Sequence, residues 1–179
     1  MIISKAATRY AKAFFDIAQE KSALKAVSDD FEAIGAAIEK SGEFVSLLKA
    51  PLISSEKRVA ALKALFEAKA DKTTFEFLMF LERKGRLGIL QDVIYEFAKL
   101  NDRLNNVERI SITSAFPMAD EQVKAISDKL QQKLSKSIIA EVKVEPGLIG
   151  GFKVKVGDQV YDLSVVTQLE KIKQSVVKA

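Results

Sequence analysis

Cysteine and histidine are both absent from this chain of 179 residues. Without cysteine there is no disulfide scaffold and no thiolate nucleophile, and without either residue there is no zinc site of the usual His/Cys kind. Histidine-based acid/base chemistry is excluded on the same ground. A carboxylate-only site for magnesium or calcium survives, as does an enzyme working through carboxylate or lysine. Long apolar runs are missing as well; none approaches the roughly 18 residues a membrane span needs. The opening stretch MIISKAATRYAKAF has no continuous apolar segment and does not read as a secretory signal. It is amphipathic and basic, which leaves a membrane-surface or targeting reading open. Nor does charge of one sign dominate: 28 Lys and Arg stand against 24 Asp and Glu, a formal net charge of +4. A nucleic-acid binder gathers its positive charge into one patch, whereas here the two signs alternate along most of the chain, as on an ordinary solvated surface.

What is present is helical periodicity over the first hundred residues or so. The length suits one medium domain or two small ones. Residues 4–20 predict a helix, with Ala7, Ala11, Phe14 and Ala18 at helical spacing and Tyr10 and Ile17 beside them. Residues 22–40 predict another, its stripe formed by Leu24, Val27, Phe31, Ile34 and Ile38 and stopped by Ser41-Gly42. A short helix carries Phe44, Leu47 and Leu48, and Pro51 closes it. Ser54 or Ser55 caps the next, which buries Val59, Leu62 and Phe66. Asp71 caps a fifth helix, where Phe75, Phe77, Leu78, Met79, Phe80 and Leu81 cover nearly the whole circumference. Such a helix is central in a bundle or gripped by a partner. Lys84-Gly85-Arg86 breaks it, with Glu82, Arg83, Lys84 and Arg86 expected on the surface. A sixth helix carries Leu90, Val93, Phe97, Leu100 and Leu104. Short connections favour antiparallel neighbours, so residues 1–105 predict an all-alpha six-helix bundle.

The pattern changes near residue 106. ERISITSAF alternates, placing Ile110, Ile112, Ser114 and Phe116 on one face, and Pro117 ends the strand. A helix follows with Val123, Ile126, Leu130 and Leu134 as its buried stripe. SIIAEVKVEP alternates again, as do Phe152, Val154 and Val156 against Lys153 and Lys155. Gly157-Asp158 is a turn, QVYDL a last strand, and Val165, Leu169, Ile172 and Val176 a final helical stripe. Residues 106–179 thus predict a small α/β domain of order β-α-β-β-β-α, its helices covering one face of a short sheet.

Glycines Gly147, Gly150 and Gly151 raise the question of phosphate binding. A dinucleotide fingerprint needs strand, glycines, then helix, and these precede a strand; the Lys-Ser/Thr of a Walker loop is missing too. The geometric reading is simpler: Pro146-Gly147 turns the chain, and Gly150-Gly151 permits positive φ or close backbone approach. Asp158 with Asp162, and Asp29 with Asp30, lack the further oxygen ligands of a calcium loop. Asp162 reads as a turn or helix-start acceptor near Ser164.

Three segments carry a likeness. Arg9-Tyr10-Ala11-Lys12-Ala13-Phe14-Phe15, Leu81-Glu82-Arg83-Lys84-Gly85-Arg86-Leu87, and Val144 through Gly151 continuing to Gly157-Asp158, Asp162, Ser164-Val165 and Leu169, stand in this order. Together they resemble the signatures of the F-type ATP synthase delta subunit family, whose mitochondrial members are the oligomycin-sensitivity-conferring proteins. Lys84 replaces a frequent Asn and Leu163 a frequent Gly, departures that a left-handed Gly85 cap and an unchanged fold accommodate.

The resemblance implies a non-catalytic stator subunit of a rotary ATP synthase, without cofactor, metal or active site of its own. Its N-terminal bundle would receive the N-terminal segment of a catalytic-head alpha subunit, and its C-terminal domain would contact the end of the dimeric peripheral stalk. The head groove is expected between the first and fifth helices, at Arg9, Tyr10, Ala13, Phe14, Ile17, Phe77, Leu78 and Leu81, lining or supporting a helix-in-groove contact. The stalk surface is expected at Val165, Val166, Leu169 and Ile172, with Lys171, Lys173 and Lys178 meeting an acidic terminus. Gly85, Pro146, Gly147, Gly150, Gly151, Gly157 and Asp162 are structural turns. One copy per complex is expected, held indirectly at the cytoplasmic side of a bacterial cell membrane, an origin suggested by the bare Met start, with a processed organelle protein as the alternative. The alternatives are a small helical nucleic-acid-binding protein and a small carboxylate or lysine enzyme.

Overall fold

The computed structural model describes residues 4–50 and 53–177, without the side chains of residues 171, 172 and 175–177. Pro51 and Lys178, and the side chains of Lys171, Ile172 and Val176, therefore lie outside the described residues. The chain divides into two compact units, Met1–Asn101 and Asp102–Ala179.

The first unit is helical: α1 (Lys5–Glu20), α2 (Leu24–Lys40), α3 (Gly42–Lys49), α4 (Ser55–Phe66), α5 (Lys72–Arg83) and α6 (Leu90–Leu104), the last running past the division between the units. Short polar side chains start four of them. Ser4 Oγ accepts from the Ala7 N–H at 3.1 Å, Ser41 Oγ from Phe44 at 3.2 Å and Ser54 Oγ from Lys57 at 3.5 Å. Asp71 accepts from Thr73 at 2.7 Å, and that N–H chiefly holds its carboxyl below the usual carboxylate range. Gly85 ends α5 at φ 63°, where Arg86 N–H reaches the Leu81 carbonyl at 2.8 Å. Apolar stripes meet in a core centred on four rings. Phe14 of α1 stacks on Phe77 of α5 at 3.9 Å between centroids, and Phe31 of α2 meets Phe97 of α6 edge-on at 5.0 Å.

Three expectations fail here for identifiable reasons. Leu104, at the last position of α6, is exposed. Val59 and Phe66 of α4 are half-buried, and only Leu62 of that stripe is fully enclosed. Glu82 is not on the surface: its side chain is 2% exposed, and both carboxylate oxygens accept from Arg58 Nε at 3.0 Å. Arg58 also donates to the Ala50 carbonyl at 3.3 Å, so one guanidinium joins α4, the end of α3 and α5.

The second unit runs β1 (Val107–Ser114), α7 (Asp120–Leu134), β2 (Ser137–Val144), β3 (Phe152–Val156), β4 (Gln159–Asp162) and α8 (Val165–Val177). The sheet order is β2-β1-β3-β4; β1 and β2 are parallel, joined through α7, and the other pairings are antiparallel. Register sets Ile110, Ile112, Ala140, Val154 and Val156 on one face, where Val123, Ile126 and Leu130 of α7 cover them. Phe116 does not join this face. It lies beyond the strand and is 67% exposed, with the Ser114 hydroxyl donating to its carbonyl at 2.6 Å. Leu134, at the last position of α7, is exposed too. Of the stripe expected to cover the sheet from α8, Val165 is half-buried and Leu169 is exposed, while Ile172 and Val176 lie outside the described side chains. After its half-buried first residues, every described side chain of α8 is exposed: Gln168, Leu169, Glu170, Lys173 and Gln174.

Candidate partner-binding surfaces

Helix α1 carries two apolar stripes. Ala7, Ala11, Phe14 and Ala18 are buried. Tyr10, Ala13 and Ile17, spaced to share a neighbouring stripe, reach the surface: Tyr10 is half-buried, Ala13 exposed, and Ile17 44% exposed. Helix α5 lies alongside, and the contacts run in opposite order along the two helices. Tyr10 meets Phe80 edge-on at 6.0 Å, Phe14 stacks on Phe77, and Lys21 pairs with Glu76 at 3.4 Å. Of the expected groove residues, Phe14, Phe77, Leu78 and Leu81 are buried and stand behind this surface. Arg9 is exposed at its rim. The half-buried Phe80 was absent from the expected set, although the all-round apolar pattern of α5 contained it. It borders a hollow of about 270 Å³ with Arg83 and Lys84, and Lys84 Nζ sits 5.9 Å from the Phe80 ring centre. With Arg9 and Lys12 also exposed, the Tyr10 end of the helix pair is edged by basic groups.

A larger groove opens elsewhere in the same unit. It holds about 610 Å³ between α2, α3 and α4, with Ala33, Ala37, Phe44, Leu47, Leu65 and Phe66 on its walls. The stripes of these helices were legible, but the gap between them is a product of packing that periodicity does not report.

In the second unit the signature glycines meet the start of α8. Gly151 has φ 74°, and a Cβ there would overlap the Leu163 carbonyl oxygen; one at Gly150 would stand 3.0 Å from Val165 Cγ2. Gly157, at φ 57°, turns β3 into β4, and Pro146 to Leu148 form a single helical turn that includes Gly147. Asp162 accepts from the Ser164 N–H at 2.9 Å and hydroxyl at 2.6 Å, and from the Thr167 hydroxyl at 2.9 Å. Lys153 Nζ completes the set at 3.1 Å. The Ser164 bonds foremost hold the Asp162 carboxyl far below the usual carboxylate range. Of the expected stalk residues, Val165 and Val166 are half-buried and Leu169 is 54% exposed; Ile172 lies outside the described side chains.

Comparison with known proteins decides the relationship. Residues 6–176 match the family model for the ATP synthase delta (OSCP) subunit. The chain belongs to that family. The ATP synthase subunit delta of Chlorobaculum tepidum is 36% identical over 172 residues, 96% of this chain and 95% of the relative. That of Chlorobium phaeobacteroides strain BS1 is 34% identical over 170 residues, 95% and 94% of the two chains. A chain in the cryo-EM structure of the Toxoplasma gondii mitochondrial ATP synthase hexamer superposes with a TM-score of 0.79 at 24% identity, over 97% of this chain and 98% of that one, a likeness of fold. As a delta (OSCP) family member the chain is a non-catalytic subunit of the ATP synthase complex. No described helix is long and apolar enough to cross a membrane.

Proposed function

We propose that this chain is the stator subunit that joins the catalytic head of a rotary ATP synthase to its peripheral stalk. One copy per complex, held at the cytoplasmic face of a bacterial membrane through the other subunits, keeps the head from turning with the rotor during proton-driven synthesis. Such a part needs affinity and stiffness rather than reactivity. The observation that carries the head contact is the second stripe of α1. Tyr10, Ala13 and Ile17 leave apolar surface open beside Phe80, with the small Ala13 between the two larger residues. An amphipathic helix from the amino-terminal segment of an alpha subunit would lay its apolar face along that strip. Arg9, Arg83 and Lys84 at one end favour acidic groups on the incoming helix. The stalk contact is carried by α8, whose Leu169 faces solvent.

A second reading is that the head segment enters the α2–α3–α4 groove, which is the larger of the two openings. Calorimetric titration of the full chain with a synthetic peptide of the alpha segment from the same organism separates them. We expect one-to-one binding with a negative heat-capacity change. Ala13→Glu should abolish it and Ala33→Glu should leave it intact, both variants staying folded because both positions are exposed. The reverse pattern moves the contact to the larger groove; no binding by the folded wild type removes the head contact altogether.

A further inference from the structure

The delta-family segment Val144–Gly151 and the later Asp162-Leu163-Ser164-Val165 are separated by the β3–β4 hairpin and meet at one junction. Val165 N–H donates to the Gly150 carbonyl at 2.9 Å, and Leu163 N–H to the Phe152 carbonyl at 3.0 Å. Gly151 admits the Leu163 backbone only because it has no Cβ. Just before it, Gly150 N–H reaches back to the Leu148 carbonyl at 2.6 Å, which forces Ile149 to φ 62° and ψ −41°. A β-branched residue held there is strained, so the surrounding contacts determine this backbone closely. Across the junction the Asp162 carboxylate collects the Ser164 N–H and hydroxyl, the Thr167 hydroxyl and the Lys153 ammonium. Three elements are tied by this one group: β3 through Lys153, the end of β4, and the first turn of α8 through Ser164 and Thr167.

The contrast with the rest of α8 gives the junction its meaning. Most helices take their direction from the apolar face they bury. Beyond its first turn, the described side chains of α8, those of Gln168, Leu169, Glu170, Lys173 and Gln174, are exposed. Ser164, by comparison, is completely enclosed. At its root, where α8 leaves the sheet, the helix is held by this polar cluster.

We propose that Asp162, acting with Thr167 and Lys153 and seated by Gly150-Gly151, is a positioning residue that holds α8 in the orientation from which the stalk is bound. This rests on the assignment of α8 to the stalk contact, and it gives the signature glycines and aspartate a task in partner binding although none of them touches the partner.

The test uses the full chain and the soluble carboxy-terminal part of the stalk subunit from the same organism. Amide exchange is followed at Thr167 and Gln168, and stalk affinity is measured in parallel. Asp162→Ala should speed exchange at these amides, leave the β1 and β3 amides unchanged, and weaken stalk binding about tenfold or more, the equivalent of 1.4 kcal/mol. Thr167→Val keeps the shape of the side chain and removes the hydroxyl; it should weaken binding in the same direction. Thr167→Ser keeps the hydroxyl and should restore wild-type affinity, which a role in packing alone would not do. The valine and serine pair carries the test should Asp162→Ala not fold. Unchanged exchange in Asp162→Ala, or faster exchange with wild-type affinity, overturns the positioning role and leaves the stalk contact standing. Failure of the wild type to bind the stalk fragment instead removes the stalk contact itself, and with it the need for positioning.

Discussion

Asp162 shows how much one carboxylate can organise when its partners are hydroxyls and a backbone N–H rather than water. Its oxygens are occupied by Ser164, Thr167 and Lys153, and hydrogen bonds to the charged form favour ionisation. The sign of the pH dependence follows. The folded-state value is depressed, so the stabilisation is complete above the unfolded carboxylate value of about 4 and is lost as pH falls from there through the lowered folded value. We expect Asp162→Asn to melt below the wild type at neutral pH, and the gap between them to narrow steadily in melts taken below about pH 4. A gap that stays constant across that range would mean the charge on Asp162 does nothing for the fold.

Among the elements, the ion pair between α4 and α5 is the contact with the largest expected effect. Glu82 is buried, and its partner Arg58 is mostly so. Removing one member of such a pair leaves a charge enclosed without compensation, a loss of about 3 kcal/mol or more. Arg58→Ala should therefore lower the denaturation midpoint of the helical unit sharply. Arg58→Met combined with Glu82→Leu should regain much of the loss, because no buried charge remains; chemical denaturation of the three chains measures it. This pair also marks where the sequence stops being legible. The stripes of α1, α2 and α6 could be read because each helix buries a face defined by its own spacing. Glu82 could not be read, because its burial depends on a residue 24 positions earlier in another helix. Phe116 fits the alternation of β1 yet leaves the sheet, since a Ser114 side-chain bond ends the strand first. The Asp162 acceptor was legible from Ser164 nearby; Lys153 and Thr167, its other partners, were not. The exposed Ala13 was legible as a small residue on a helix flank, whereas the α2–α3–α4 groove was not, because a gap between helices has no periodicity.

For the molecule as a whole, the residues proposed to meet the head and those proposed to hold the stalk helix fall in different compact units. Substitutions without shared contacts act independently. Ala13→Glu should abolish binding of the alpha-segment peptide with stalk affinity unchanged, and Asp162→Ala should do the converse. Titrating each variant against both partners checks this, and a cross effect in either direction would show that the two ends communicate.

Helix α8, rooted at this junction, has a mechanical side. Its 13 residues span roughly 20 Å along the helix axis. Over that length a tilt of about 10° at the root displaces the far end by about 3 Å, the reach of a hydrogen bond. A rod held at one end multiplies any slack in its clamp, so under a turning load the compliance of this connection would depend on the few hydrogen bonds around one aspartate.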